Sequence, residues 1–409
     1  MKFKYFVLFL SLVLLSNCSK EKIQNEKRWC LEEAEEWLSL VRNDLDTESR
    51  VQSSVAIEMA RAGMGHEALK VAGLIQNYQR AITFGKIGQL AYEKKNSLLA
   101  KEALEKAVFS LSFGVGYQRD LGIVEVLDLA TRLNRKDVVE KWLKQITTDE
   151  SRNRANSRIS FHQLAAPQIA QVVQIKADEE AKLHQGQQDK HGTASVLAAP
   201  NITVEEIFSA LEQSWNRGDR ANVDTWLQVA RARIPDVPSV DRVGYWVSLC
   251  HWEIVTGKLD WAQIDLPKAQ VELDRISGVN DFKYLWVIQL AGAYKKLGET
   301  SRAKDLLEKE SLVVKKYVTP YYQMDVLGRM AETAVDSGLG EQATDWWSTA
   351  FAEAEKNPNP RSKAVGVIEY LLSHARAGIK PDATTLSKIA KMKAEIPDAY
   401  AKLYGFQSK

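Results

Sequence analysis

Cysteine, histidine and net charge are all scarce in this chain, and each shortage removes a class of protein. Three cysteines among 409 residues, Cys18, Cys30 and Cys250, cannot build the dense disulfide framework of a small secreted scaffold, and no C-x-x-C is present for zinc or redox chemistry. Cys30 and Cys250 are expected to remain unbridged. The six histidines are scattered. His184 and His191 share a polar stretch without a further ligand pattern, so no metal is expected. The formal charge of +2 includes Lys2 and Lys4, which belong to a segment expected to be removed, so the chain carries no electrostatic footprint for nucleic acid. There is also no H-E-x-x-H, G-x-S-x-G, P-loop, G-x-G-x-x-G or calcium loop, and Gly114-Val115-Gly116 reads as a turn. No catalytic residue and no cofactor are expected. His251, beside Cys250, points away from it on a helix and forms no Cys/His pair.

An apolar run long enough to cross a bilayer, about 20 residues, is missing as well. The sequence opens MKFKYFVLFLSLVLLSNCSK, with Lys2 and Lys4 before a mostly apolar stretch from Tyr5 to Leu15. That order is the signature of an export signal. Leu15-Ser16-Asn17-Cys18 resembles the bacterial lipobox, which implies cleavage before Cys18 and a lipid on its thiol. Ser19 resembles the sorting residue of outer-membrane lipoproteins. A plain secretory signal and an uncleaved anchor are the alternatives.

Against these absences stands a period. Tyr-Gln-Arg occurs at 78–80 and again at 117–119. Gly63, Gly218, Gly257, Gly298, Gly338 and Gly378 each follow an apolar-periodic segment, and the later five are 39, 41, 40 and 40 residues apart. Asn96 and Asn134 fill the same slot, and both residue types tolerate the left-handed conformation that ends a helix. Seven residues before the glycines stand Ala56, Leu211, Cys250, Ala291, Ala331 and Leu371; eight before stand Val55, Ala210, Leu249, Leu290, Met330 and Tyr370. Eleven before stand Gln52, Ile207, Trp246, Val287, Leu327 and Val367. Those steps trace one face of an α-helix, broken only by Gln52. Five residues after the glycine comes Ala68, Ala262, Ala303, Ala343 or Ala383, with Val223 the exception. A small side chain there lets a second helix approach the first.

These slots predict an all-α chain, an α/α superhelix (solenoid) of about eight to nine helical hairpins with a period of about 40 residues. The Gly-to-Ala interval and paired helices resemble the tetratricopeptide repeat (TPR) superfamily from about Glu32 to Ala394. The resemblance implies a surface lined by the first helices of each pair that binds other proteins. It carries over no binding residues, because the matching positions are packing positions. The expected organisation is a signal at 1–17, a tether at 18–30, an N-terminal repeat array at 31–166, an irregular helix and polar loop at 167–201, a C-terminal array at 202–395 and a tail at 396–409.

Two surface patterns remain. Arg80, Arg119, Arg158, Arg242, Lys283 and Lys363 recur near the starts of first helices, where a cation opposes the macrodipole and so needs another partner. One reading ties each to the end of the preceding second helix or an acid there; the other makes them a basic ladder for an acidic partner. Tyr245, Tyr284, Tyr321 and Tyr322 recur in the same region; one reading has them staple one hairpin to the next, the other makes them candidates to line a partner groove. Eight of eleven tryptophans follow residue 200, and of Trp346-Trp347 only one is expected to face the core. The expected role is a non-catalytic interaction scaffold in the bacterial envelope, held to a membrane through its lipid and bound to another envelope protein or peptide. A glycan-binding lipoprotein and an α/α-barrel enzyme are the alternatives. Mass spectrometry of the mature N-terminus should find a lipid-modified Cys18 as the first residue; an intact Met1, or cleavage elsewhere, would exclude the anchor.

Overall fold

The computed structural model describes residues 2–42, 44–163, 203–216, 218–276, 281–318 and 320–404. Among them every regular element is helical. Contacts divide the chain into two compact units, residues 157–312 and the remainder on both sides of that segment. The division does not follow the expected arrays in chain order.

The first unit contains α1 (Lys2–Leu38), α2 (Leu45–Arg61), α3 (Gly65–Ala72), α4 (Gln79–Glu93), α5 (Ser97–Ser110), α6 (Gly116–Arg132) and α7 (Lys136–Leu143). Residues Asp149–Gln163 form α8, whose first turns belong to this unit. From the other end of the chain come α15 (Pro320–Asp336), α16 (Gly340–Lys356), α17 (Pro360–Ala377) and α18 (Ala383–Tyr404). The second unit contains α9 (Val204–Asn216), α10 (Arg220–Arg233), α11 (Ser239–Val255), α12 (Leu259–Arg275), α13 (Asp281–Lys296) and most of α14 (Thr300–Tyr317). Among the described residues eight helical hairpins are complete, from α2–α3 to α17–α18. The expected loop at 167–201, with Pro167, His184 and His191, lies outside the described residues.

One backbone device ends each first helix. The six slot glycines have φ between +70° and +86°. After each, an amide N–H returns to the carbonyl five residues back: Met64 to Met59, Asp219 to Ser214, Lys258 to Glu253, Glu299 to Tyr294, Leu339 to Ala334 and Ile379 to His374, at 2.7–3.1 Å. This is the Schellman closure, which satisfies otherwise orphaned carbonyls and reverses the chain. Asn134 fills the slot as expected, with φ +56°. Asn96 does not. Lys95 is the left-handed residue, φ +60°, and Asn96 caps α5 by accepting from the Leu99 N–H at 3.1 Å. Asparagine is suited to both jobs, and the side-chain cap decided the register.

The residues seven, eight and eleven before the glycines are buried throughout, apart from the half-buried Gln52. Ala68, Ala262, Ala303 and Ala343 are fully buried; Ala383 is exposed, because it only begins the terminal helix. Trp346 and Trp347 are 3% and 4% exposed, so both face the interior. Adjacent side chains diverge by about 100° on a helix, but α16 packs on both α15 and α17, which covers both directions. Trp347 donates its indole N–H to Ser373 Oγ at 2.8 Å and stacks on His374 at 4.0 Å. Burial pushes the His374 imidazole down to about 4.

The two chain ends meet in the first unit. Helix α1 packs on α17 and α2, and α17 also reaches α2. Arg376 of α17 stands 3.1 Å from Glu58 of α2 and 3.2 Å from Glu332 of α15. Arg361 pairs with Asp44 at 3.2 Å, and Lys393 of α18 with Glu33 of α1 at 2.9 Å. Tyr400 donates its hydroxyl to the Leu40 carbonyl at 2.8 Å. Residues 20–30, expected as a tether, are therefore helical and lead into the fully buried Cys30. Residues 396–404, expected as a tail, belong to the docked α18.

Two glycine substitutions should separate the turn from this closure. At Gly338, φ +74°, an added Cβ meets nothing within 4 Å; at Gly378, φ +70°, it would lie 2.6 Å from Ile23 of α1. Gly338→Ala should cost about 1–2 kcal/mol for the left-handed backbone. Gly378→Ala should cost about 1 kcal/mol or more beyond that, because α1 must shift. Urea unfolding of both variants measures the difference, and equal losses would show that α1 does not depend on this turn.

Candidate functional site

The expected site residues part company once their surroundings are known. Tyr284 is 1% exposed. It is a core residue and cannot line a partner groove, because its place on α13 faces the interior. Tyr245 is half-buried; it stacks on Phe208 at 6.4 Å and donates its hydroxyl to Glu205, fastening α11 to α9. Burial and Glu205 push its phenol up. The side chains of Tyr321 and Tyr322 lie outside the described residues.

The cations do not form a free ladder. Arg119 donates to the Gln145 carbonyl at 3.4 Å, beyond the end of α7. Arg242 of α11 donates to the Val237 carbonyl at 2.8 Å and pairs with Glu272 of α12 at 3.2 Å. Lys283 of α13 pairs with Glu310 of α14 at 3.1 Å, both largely buried. Arg80 lies over the Phe113 ring at 4.8 Å, while Arg158 and Lys363 are half-buried. For Arg119 and Lys283 the partner belongs to the second helix of the same hairpin, or follows it. Arg242 is met from both sides, by Glu272 of its own hairpin and by the Val237 carbonyl just beyond the preceding second helix.

A site emerges around Arg242 that no single motif marks. Pro235, Arg242, Trp246, Pro267, Lys268, Val271, Glu272 and Arg275 line a cleft of about 330 Å³ on α11 and α12. Trp246, a core-slot residue only 4% exposed, forms part of the wall, and the Lys268 ammonium lies 4.8 Å from its ring centre. Arg242 and Arg275 converge on the same oxygen of Glu272, at 3.2 and 2.8 Å. Lys268 also donates to Asp265 at 2.7 Å.

Asp265 carries the network inward. It accepts from Arg231 of α10 at 2.6 Å, and Arg231 donates to Glu253 of α11 at 2.7 Å. Glu253 and Asp265 are fully buried. Burial first, and then the charge and hydrogen bond of Asp265, push the Glu253 carboxyl up to about 8 against the pull of Arg231. The Cys250 thiol beside them is buried and raised chiefly by burial, so it is an inert core thiol. Four basic side chains thus meet three carboxyl groups, one of which keeps its proton at neutral pH. The cleft favours anions.

Glu253 was missed in the sequence although it leaves a signal. It stands four residues before Gly257, where the other hairpins have Met59, Ala91, Ala130, Ser214, Tyr294, Ala334 and His374, each buried. A carboxyl in a slot reserved for buried residues marks a site that packing alone does not explain. Two of the tryptophans after residue 200 are covered by cations: Arg231 lies 4.6 Å from the Trp261 ring centre and Arg220 3.5 Å from that of Trp215. Among the described residues no group of three or more His, Cys, Asp or Glu is placed to hold a metal ion.

The folded chain holds the Glu253 proton to about pH 8, whereas an unperturbed glutamate releases it near 4.5. The stability linked to this proton is therefore complete below about 4.5 and lost as pH rises through about 8. Glu253→Gln, which keeps the shape without the ionisation, should flatten the decline of melting temperature between these limits and leave the variant more stable than the parent above pH 8. Parallel curves for both proteins would remove Glu253 from the account. Comparison with known proteins adds little: no family model and no curated protein matches the chain. Among solved structures, the TPR domain of P58(IPK) is similar at 11% identity, covering 85% of this chain and 99% of that one, with a TM-score of 0.20. A circular tandem repeat protein with novel repeat topology is similar at 12% identity, covering 93% and 98%, also with a TM-score of 0.20. At these values the reading of the fold rests on the chain's own helices.

Proposed function

We propose that this chain is a non-catalytic, lipid-anchored scaffold of the bacterial envelope that captures an acidic segment of another protein. The observation that carries the reading is the cleft on α11–α12, where Lys268 and Arg275 offer exposed positive charge beside Trp246 and two prolines. Their side chains are 44% and 62% exposed, so both can reach a partner while Arg242 stays anchored to Glu272. Cations at the rim of the cleft suit a carboxylate-bearing peptide, to which the Arg275 guanidinium offers a bidentate donor and Lys268 an ammonium. Rim charges act mainly on association and on the choice of partner.

The anchor follows from Cys18 and the order of residues before it. A lipid at that position places the repeat array at a membrane, and the outer membrane fits Ser19. No nucleic acid is involved, in keeping with the near-neutral charge.

Capture from detergent-solubilised envelope, quantified by mass spectrometry, tests the cleft. The double variant Lys268→Gln, Arg275→Gln should recover the partner at least about tenfold less well than the parent, the equivalent of about 1.4 kcal/mol, at a temperature where circular dichroism shows both proteins folded. Equal recovery of the same proteins by both would place the partner elsewhere.

A further inference from the structure

Helix α1 runs without a break from Lys2 to Leu38 and so joins Cys18 directly to the packed body of the first unit. Docking begins soon after Cys18. Ile23 lies against the turn at Gly378, so close that a Cβ there would approach it within 2.6 Å. Gln24 donates to the Ala62 carbonyl in the α2–α3 turn at 2.6 Å, and the Lys380 N–H is directed to Glu26 at 3.4 Å. Only four residues lie between Cys18 and Ile23. As helix the five steps span about 7–8 Å, and fully extended no more than about 18 Å.

The surface beside this short link has its own composition. Ile23 and Ile379 are 42% and 37% exposed although both are large and apolar. Between α1 and the residues after Gly378 lies an open hollow lined by Glu21, Lys22, Asn25, Glu26, Trp29 and Lys380. The Lys380 ammonium lies 3.9 Å from the centre of the half-buried Trp29 ring. Lys20, Lys22 and Lys380 are exposed and Lys27 is half-buried. Isoleucine, tryptophan and lysine together suit a bilayer interface, where an indole sits at headgroup level and lysines meet anionic lipid.

We infer that the edge of the first unit formed by the start of the docked α1 and the Gly378–Lys380 turn is a membrane-contact surface, seated on the headgroups of the bilayer that holds Cys18. The inference rests on the lipid-anchor reading given above. A lipid on Cys18 fixes its sulfur near the boundary of headgroup and acyl chain, and the interfacial layer is only about 5–8 Å deep on each side. A helical link of about 7–8 Å is about as long as that layer is deep, so as helix it holds the edge of the array at the headgroups. The anchor is thus a stiff stalk that presents one edge of the protein to lipid, not a leash. Ile23 and Ile379 enter the interface, and Trp29 and Lys380 occupy the headgroup zone.

Two measurements keep the anchor and the surface apart. Mass spectrometry of the N-terminus reports the lipid by itself. Footprinting of lysines with a membrane-impermeant amine reagent, read by peptide mass spectrometry, reports the surface. It is run on the acylated protein in phosphatidylglycerol-containing vesicles or, should Cys18 carry no lipid, on the full chain coupled through the Cys18 thiol to a maleimide lipid; Cys30 and Cys250 are buried and spared. Lys22 and Lys380 should react at least about fivefold more slowly on vesicles than in detergent-free buffer, while exposed lysines such as Lys101 and Lys136 keep their rates. Ile379→Glu should restore the rate at Lys380 without unfolding the protein. Equal rates with and without vesicles at Lys22 and Lys380 would overturn the inference, whatever the N-terminus carries.

Discussion

Each first helix ends on a residue in the left-handed conformation whose successor's N–H bonds the carbonyl five residues back, and the packing follows from that closure. The reversal fixes where the second helix begins, and so brings the alanine five residues after the turn against the residues seven, eight and eleven before it. Because the turn is local, it recurs wherever glycine, asparagine or, at Lys95, a tolerated lysine occupies the slot. Hairpins made in this way each leave an apolar face that only a neighbour can cover, so the array is stabilised by nearest-neighbour contacts.

Such an array has ends, and an uncovered end exposes core. In the first unit the ends are used against each other. Helix α1 covers α17 and α2 together, with Arg376 placed among Glu58 and Glu332. Burial holds the Glu332 carboxyl up at about 7 even with Arg376 beside it, so desolvation offsets much of the Coulomb attraction in this cluster. Its contribution is therefore to alignment more than to energy. A charge group of this kind is satisfied by one register of the helices and left unpaired in others.

The second unit keeps its charges for a different arrangement. Glu253 and Asp265 are buried beneath a cleft whose rim is basic, the half-buried Arg231 bridges them, and Asp265 positions Lys268. The same slot that carries alanine or methionine in other hairpins carries Glu253 here. A repeat architecture tolerates such a departure because each hairpin depends chiefly on its neighbours, and a local cost does not propagate along the array.

The sequence by itself determined the helical hairpins, their period, the glycine turns, the burial of Cys250 and the small residue opposite each turn, because all of these are local and repeat with the helix period. The tertiary structure alone decided the rest. Whether Asn96 or Lys95 takes the turn depended on a side-chain cap; whether both Trp346 and Trp347 are buried depended on α16 having a neighbour on each side. Tyr284 belongs to the core, Arg119 and Lys283 are met at their own hairpins, Arg242 also by the Val237 carbonyl before its helix, and Arg80 lies over the Phe113 ring. The cleft joins residues from the end of α10 to the end of α12, and the clasp joins residues more than 300 positions apart. Periodicity reports which face of a helix is buried, but not what another part of the chain brings to it, and that is where the candidate site arises.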